Sequence, residues 1–222
     1  MPDEGVSREV AIQRLTPMEN TIMGFATGAI DITSTQWILY CKNATQQGLP
    51  LTLDPRVLYR GYTMSLANMM ILTGAQVPLT GMVKNAITQG EVRRLSDGEE
   101  LTAALTGGVI SGFLCAPMEL IMIQQQRYGT SLIATPAKIV SEAGSPLGLF
   151  RGLAMSCGRE GIFTMGMLGL GPVVKRQLVE QGYDNTKAQI YGGIAAGVVV
   201  GTISHPMDTI KTCQQGDVLG VK

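Results

Sequence analysis

The C-terminal part of this chain carries an acid and a base at a spacing suited to ion pairing between helices. Pro206, Asp208, Lys211 and Gln215 lie in one predicted helix, with Asp208 and Lys211 three residues apart. Residues three apart share one helix face, and a proline inside a helix removes a backbone hydrogen bond and kinks it. Three such helices in a ring can pair the acid of one with the base of the next. Those pairs would close one end of a central cavity.

Two earlier segments repeat this pattern in part. One carries Pro117 and Glu119, and the other keeps Lys42 with Trp37 in the place of the proline. Glycines four residues apart precede the motif each time: Gly24 and Gly28, Gly108 and Gly112, and Gly193, Gly197 and Gly201. An internal repeat indicates that one structural unit is used several times.

The composition is typical of a helical membrane protein. Charged residues make up 15% of the 222 residues, against about 25% in an average protein, and the mean hydropathy is +0.20. The 28 glycines exceed the roughly 16 expected from average usage, and small residues allow close helix packing in lipid. The net charge is zero and Lys and Arg form no block, so no nucleic-acid partner is predicted.

The sequence offers little material for catalysis or metal binding. His205 is the one histidine, and the four cysteines are dispersed along the chain, which predicts neither a metal site nor a disulfide framework. No nucleophile–base pair or phosphate-binding loop is recognisable. We therefore predict no enzymatic activity, no cofactor and no metal.

Five stretches reach the roughly 20 residues of helix that cross a bilayer core. They are 21–46, 61–85, 102–127, 152–177 and 188–214, and each carries a few polar residues, as expected for helices around a water-filled interior. The long loops contain short amphipathic segments at 54–58 and 136–142. We predict a polar segment at 1–20 and a single transmembrane domain at 21–222, divided into repeats at 21–100 and 101–185 and a half repeat at 186–222.

Both long loops end in nearly the same tetrapeptide, Leu58-Tyr59-Arg60-Gly61 and Leu149-Phe150-Arg151-Gly152. One unit is therefore a helix, a short amphipathic helix, an aromatic-Arg-Gly sequence and a second helix. Together with the Pro-x-acid-x-x-base sequence that begins at Pro206, this unit resembles the mitochondrial carrier family, the solute carriers of the mitochondrial inner membrane. The resemblance implies an all-α membrane bundle of such repeats in the inner membrane. Five transmembrane helices are expected in this chain, with the sixth missing.

The resemblance also implies how the charges pair at the matrix end of the bundle. In the family the acid of one odd-numbered helix meets the base of another, which leaves two pairs here: Glu119–Lys211 and Asp208–Lys42. The third pair would join positions that hold Leu39 and Met122. Removal of one partner strands a buried charge at about 3–5 kcal/mol, whereas apolar replacement of both can be neutral. The alternative is that Leu39 and Met122 replaced the charged residues independently of each other.

At the opposite end, the family's even-numbered helices carry an acid and a base. The base positions of this chain hold Lys84 and Lys175, but the acid positions hold Gly81 and Pro172. The sequence therefore predicts no ion pair of the family's type on this side. Lys84 and Lys175 are then expected only to extend to the membrane interface.

Substrate contacts in the family lie midway along the even-numbered helices. The matching positions, seven residues after the glycines of the tetrapeptides, hold Asn68 and Arg159, and Glu160 follows Arg159. An Arg–acid pair there resembles carriers of amino acids, and ionised groups at mid-membrane depth indicate a functional site. The alternative is that Arg159 and Glu160 pair with neighbouring groups in a packed interior.

Two functions are compatible with these observations. The first is a degenerate carrier that serves as a structural or accessory subunit of a respiratory-chain or ATP synthase assembly. The alternative is a competent carrier that exchanges an amino acid or similar metabolite by alternating access. Expected partners are the lipid bilayer, with bound lipid such as cardiolipin, and other subunits of an inner-membrane complex.

Overall fold

The computed structural model describes residues 17–91, 93 and 95–217. The predicted polar segment 1–20 lies outside the described residues except for 17–20, which already belong to the first helix. That helix therefore starts four residues earlier than the apolar pattern indicates.

The described residues are helical and contain no strand, which confirms the all-α prediction. The elements before the second tetrapeptide are α1 (Pro17–Gln46), α2 (Pro55–Leu58), α3 (Tyr62–Thr88), α4 (Asp97–Tyr128) and α5 (Ala134–Ala143). After a 3-10 turn at Pro146–Phe150 come α6 (Leu153–Thr164), a π-helical segment (Met165–Leu170), α7 (Gly171–Glu180) and α8 (Asn185–Gly216). The π-helical segment separates two halves of what the sequence pattern predicts as one helix.

The glycine of each aromatic-Arg-Gly sequence turns the chain into the next long helix. Gly61 and Gly152 both have φ +76°, in the left-handed region that glycine tolerates best. Each also lies close to another helix. A Cβ on Gly61 would be 3.1 Å from the Met122 carbonyl oxygen, and one on Gly152 would be 3.2 Å from Gln215 Cγ.

The arginine of the same sequence lies over the end of a neighbouring helix. Arg60 packs against Gly129, the residue that caps α4, and Arg151 Nε donates to the Gln214 carbonyl of α8 at 2.8 Å. Cations are favourable at helix C-termini, where backbone carbonyls have no partner within the helix. The two motifs therefore attach α3 to the end of α4 and α6 to the end of α8.

Small residues set the contacts between helices that follow one another in the chain. Thr73 Oγ1 of α3 donates to the Gly24 carbonyl of α1 at 2.6 Å. In the next repeat, a Cβ on Gly112 of α4 would lie 2.9 Å from Cys157 Cα of α6. By contrast, a Cβ on Gly193, Gly197 or Gly201 of α8 would meet nothing within 4 Å.

The buried core lies where the C-terminal halves of α1, α4 and α8 converge. Pro117 and Pro206 stand inside α4 and α8, which continue through them. Residues 119–126 of α4 are all buried. The amphipathic helix α5 covers this region from outside, where Ile139 joins Leu120 and Ile121 in an apolar cluster.

Three stretches of the described chain are long and apolar enough to cross a membrane: Pro55–Thr88, Asp97–Tyr128 and Asn185–Gly216. The sequence pattern predicts five. The difference has two causes. The first helix is rich in hydroxyl and amide side chains, and the fourth is divided by its π-helical segment and carries four charged side chains: Arg159, Glu160, Lys175 and Arg176.

Candidate functional site: a buried charge layer beside a central cavity

One ion pair joins the first and last long helices. Lys42 Nζ of α1 lies 2.8 Å from Asp208 Oδ2 of α8. Gln46, one helical turn after Lys42, donates from Nε2 to the same carboxylate oxygen at 2.9 Å. Asp208 therefore receives two donors from a single face of α1.

A second ion pair joins α8 to α4. Lys211 Nζ lies 3.2 Å from Glu119 Oε1, and both side chains are almost fully buried. Ser156 of α6 donates its hydroxyl to the other oxygen of Glu119 at 2.9 Å. The structure thus brings together the two pairs of residues that the sequence analysis grouped.

Leu39 and Met122, which occupy the positions of the third pair, line one cavity of about 140 Å³. The same cavity is lined by Asn68, Arg159 and Glu160. The chain therefore places two apolar side chains beside the ion pairs, where one added charge would upset the balance of the charged groups that line the same cavity.

Arg159 joins the two ion pairs Lys42–Asp208 and Glu119–Lys211, and together with Glu160 these residues form what we call the charge layer. Its guanidinium donates to Glu119 Oε1 at 2.8 Å and pairs with Glu160. Its Nε lies 3.6 Å from Asp208 Oδ1. One arginine of α6 therefore connects carboxylates from α4, α6 and α8.

Glu160 lies deeper than Arg159 and has 0% exposure. Because consecutive residues of a helix point about 100° apart, Glu160 faces the neighbouring helices. Gln76 Nε2 of α3 donates to Glu160 Oε2 at 3.3 Å and to Thr164 Oγ1 at 3.1 Å. We interpret Glu160 as a residue that positions Arg159.

The layer contains equal numbers of opposite charges. Three carboxylates face three cations: Glu119, Glu160 and Asp208 with Lys42, Arg159 and Lys211. The net charge of the six groups is zero when all are ionised. A buried layer of this kind is stable only while the balance holds, since an unpaired buried charge costs several kcal/mol.

Two polar atoms of the layer have no hydrogen-bond partner among the described residues. They are Arg159 Nε and Asp208 Oδ1, both buried. Asp208 Oδ1 lies 3.6 Å from Arg159 Nε and 3.5 Å from Lys211 Nζ, which is beyond the usual 2.7–3.2 Å of a hydrogen bond. Both residues line a cavity of about 270 Å³. Both atoms are themselves buried, so a ligand in the cavity reaches them only when the 3.6 Å contact between Arg159 and Asp208 opens.

Comparison with known proteins identifies the scaffold. Residues 93–182 match the family model described as mitochondrial carrier protein. Mitochondrial substrate carrier family protein X from Dictyostelium discoideum is 28% identical over 160 residues, covering 71% of this chain and 52% of that protein. Mitochondrial uncoupling protein 4 from Arabidopsis thaliana is 24% identical over 166 residues, covering 70% of this chain and 53% of that protein. The chain is therefore similar to proteins of the mitochondrial carrier family over most of its length.

The chain spans about half the length of the curated relatives it matches. Proteins of the mitochondrial carrier family are mitochondrial membrane proteins. The identities are below 30%, so the relatives indicate a family resemblance and leave the activity and any substrate of this chain open.

The opposite end of the described helices holds ion pairs that the sequence analysis missed. Lys84 Nζ lies 3.3 Å from Glu100 Oε1, and Arg176 Nη1 lies 3.1 Å from Glu100 Oε2. Arg176 also pairs with Asp97. The expectation that Lys84 only extends to the interface was wrong, because α4 supplies in its first turn the acids that α3 and α7 lack.

Gln76 and Ser156 make polar contacts to this layer that sequence reasoning passed over. Gln76 lies eight residues after Asn68, about two turns along the same helix. Ser156 lies four residues before Glu160 and three before Arg159. These spacings to Asn68, Arg159 and Glu160 are the sequence feature from which the two contacts could have been predicted.

Proposed function

We propose that this protein exchanges a small zwitterionic metabolite, of the amino-acid class, across the mitochondrial inner membrane. The observation that carries the proposal is that Arg159 and Asp208 line one cavity, while their buried Nε and Oδ1 atoms lie side by side without a hydrogen-bond partner among the described residues. A zwitterion has an acceptor and a donor that match these two atoms.

The neutrality of the charge layer favours a neutral ligand. A substrate carboxylate would accept from Arg159 while the substrate ammonium donates to Asp208, and the layer with its ligand would still sum to zero. A simple anion or cation would leave one uncompensated charge in a buried site, at a cost of several kcal/mol. The family resemblance of the Arg159–Glu160 pair to amino-acid carriers supports the same class.

Ligand binding at Asp208 suggests how transport would proceed. Asp208 Oδ2 already holds Lys42 and Gln46 of α1. A substrate ammonium on Oδ1 competes for the same carboxylate and weakens its hold on α1. In this proposal the pairs Lys42–Asp208 and Glu119–Lys211 form the matrix-side gate, which opens and closes during alternating access around the central site.

The test is exchange by the purified full-length protein in liposomes loaded with unlabelled amino acids. A panel of labelled acidic, basic and neutral amino acids identifies the best substrate. Two analogues with the same side chain, one without the ammonium and one without the carboxylate, then compete with it. We expect each analogue to compete at least about tenfold less well, since each leaves a buried polar group unpaired. An analogue that competes equally well, or no exchange at all, would contradict the proposal.

A second candidate is an accessory subunit of an inner-membrane complex such as a respiratory-chain or ATP synthase assembly. The observation that favours it is that Arg159 is already bonded to Glu119 and Glu160 without any ligand, so the layer can serve as a fixed structural element. Bound lipid such as cardiolipin is compatible with either role. Stoichiometric co-migration with such a complex, combined with no exchange, would favour this candidate.

A further inference from the structure

The lining of the 270 Å³ cavity becomes less polar with distance from the charge layer. On α8, its wall runs from Asp208 through Ser204 to Gly201 and Gly197, a span of about 16 Å along the helix axis. The facing wall leads from Arg159 of α6 through the residues of the next two turns towards the π-helical segment. Both walls start with a charged group; on α8 the polar residues Ser204 and His205 follow, and farther along both walls the lining is small or apolar.

The far part of this cavity, away from the charge layer, is lined by apolar side chains and by glycines with free space in front of them. Phe163 and Met167 line it and keep 41% and 59% of their surface exposed. A Cβ on Gly197 or Gly201 would meet nothing within 4 Å. The charged residues among the described lining, Lys42, Arg159 and Asp208, all lie at the near part.

We propose that this far part is a compartment for the side group of the substrate, and that the substrate is therefore a zwitterion with an uncharged, apolar side group. The inference rests on the proposed function, because the charge layer must hold the two ionised groups of the ligand. The side group then lies between Phe163 and Met167 on one wall and the bare backbone at Gly197 and Gly201 on the other. A charged side group would lie there against Phe163 and Met167, with no charged side chain among the described residues that line this part.

The wild-type protein gives the first test. In liposomes, exchange of leucine, methionine and phenylalanine is expected to exceed that of glycine, aspartate and lysine by about tenfold or more, in line with the value of a filled apolar pocket. Preference for a charged amino acid or for glycine would overturn the compartment while leaving the zwitterion site standing. The absence of exchange for every amino acid would overturn both.

A matched pair of variants locates the compartment. Gly201→Val fills its wall and is expected to reduce exchange of leucine and phenylalanine by about tenfold, with exchange of alanine changed less than about threefold. Gly81→Val is the control, because Gly81 of α3 has equal free space and does not line the 270 Å³ cavity. An equal loss for all amino acids in Gly201→Val, or the same selectivity change in Gly81→Val, would contradict the assignment. If Gly201→Val fails to fold, the same selectivity measurement on Gly197→Val, together with the amino-acid preference of the wild-type protein, tests the assignment.

Discussion

Arg159→Ala is expected to abolish exchange and to lower the free energy of unfolding by about 3–5 kcal/mol. Arg159 connects the carboxylates of Glu119, Glu160 and Asp208, so its removal leaves three buried acids with two cations. Thermal unfolding in mild detergent measures the stability, and liposome exchange measures the activity. This is the largest single effect that the structure predicts.

Two comparisons separate the roles of charge and shape at this position. Arg159→Lys keeps the charge, so we expect it to recover most of the stability. It should still lose exchange, since an ammonium cannot reproduce the planar, several-donor geometry of a guanidinium. Arg127→Ala is the control: Arg127 is half-buried outside the layer, donates to Gln47 Oε1 at 3.4 Å and lies over the Tyr128 ring, so its loss should change neither property much. Full exchange by Arg159→Ala would refute the site.

A second large effect on stability is expected at Leu39 and Met122, the positions of the missing third ion pair. Leu39→Glu or Met122→Lys alone adds one charge to a neutral buried layer, and each is expected to lower the free energy of unfolding by about 3–5 kcal/mol. The two side chains line one cavity, so the double variant restores an acid facing a base. Its loss should be smaller than the sum of the single losses by about 0.5–3 kcal/mol.

Neutral substitutions at the same positions provide the control for this cycle. Leu39→Gln and Met122→Gln introduce comparable polarity without charge, so their double variant should show little coupling. Additive losses for the charged pair would mean that Leu39 and Met122 are independent replacements. In that case the balance of charge in the layer would be incidental to its structure.

Local spacing predicts the long helices and which charges share a helix face, whereas the pairing of charges between helices follows from the resemblance to the mitochondrial carrier family. The pair Asp208 and Lys211 is three residues apart on one helix face, and the repeats supply the partners Glu119 and Lys42. The partners of Arg159 could not be predicted in the same way. A long, flexible side chain can reach carboxylates on several helices, and its choice depends on how α4, α6 and α8 pack together.

The ion pairs at the opposite end show a different limit of sequence reasoning. Asp97 and Glu100 lie in the first turn of α4, where acids are common because they complement the helix dipole. That local explanation was sufficient, so nothing in the sequence marked them as partners of Lys84 and Arg176. Their role appears only when α3 and α7 are placed on either side of α4.

In the proposed mechanism, a charge layer with zero net charge binds and releases a zwitterion. Its most direct test is exchange of the best amino-acid substrate in liposomes with and without an imposed potassium diffusion potential. Movement of one elementary charge across the membrane is worth about 2.3 kcal/mol per 100 mV, so a charged translocation step would respond strongly. We predict a substantial exchange rate that the potential leaves unchanged. A rate that varies with the potential, or no exchange by the purified protein, would contradict the account.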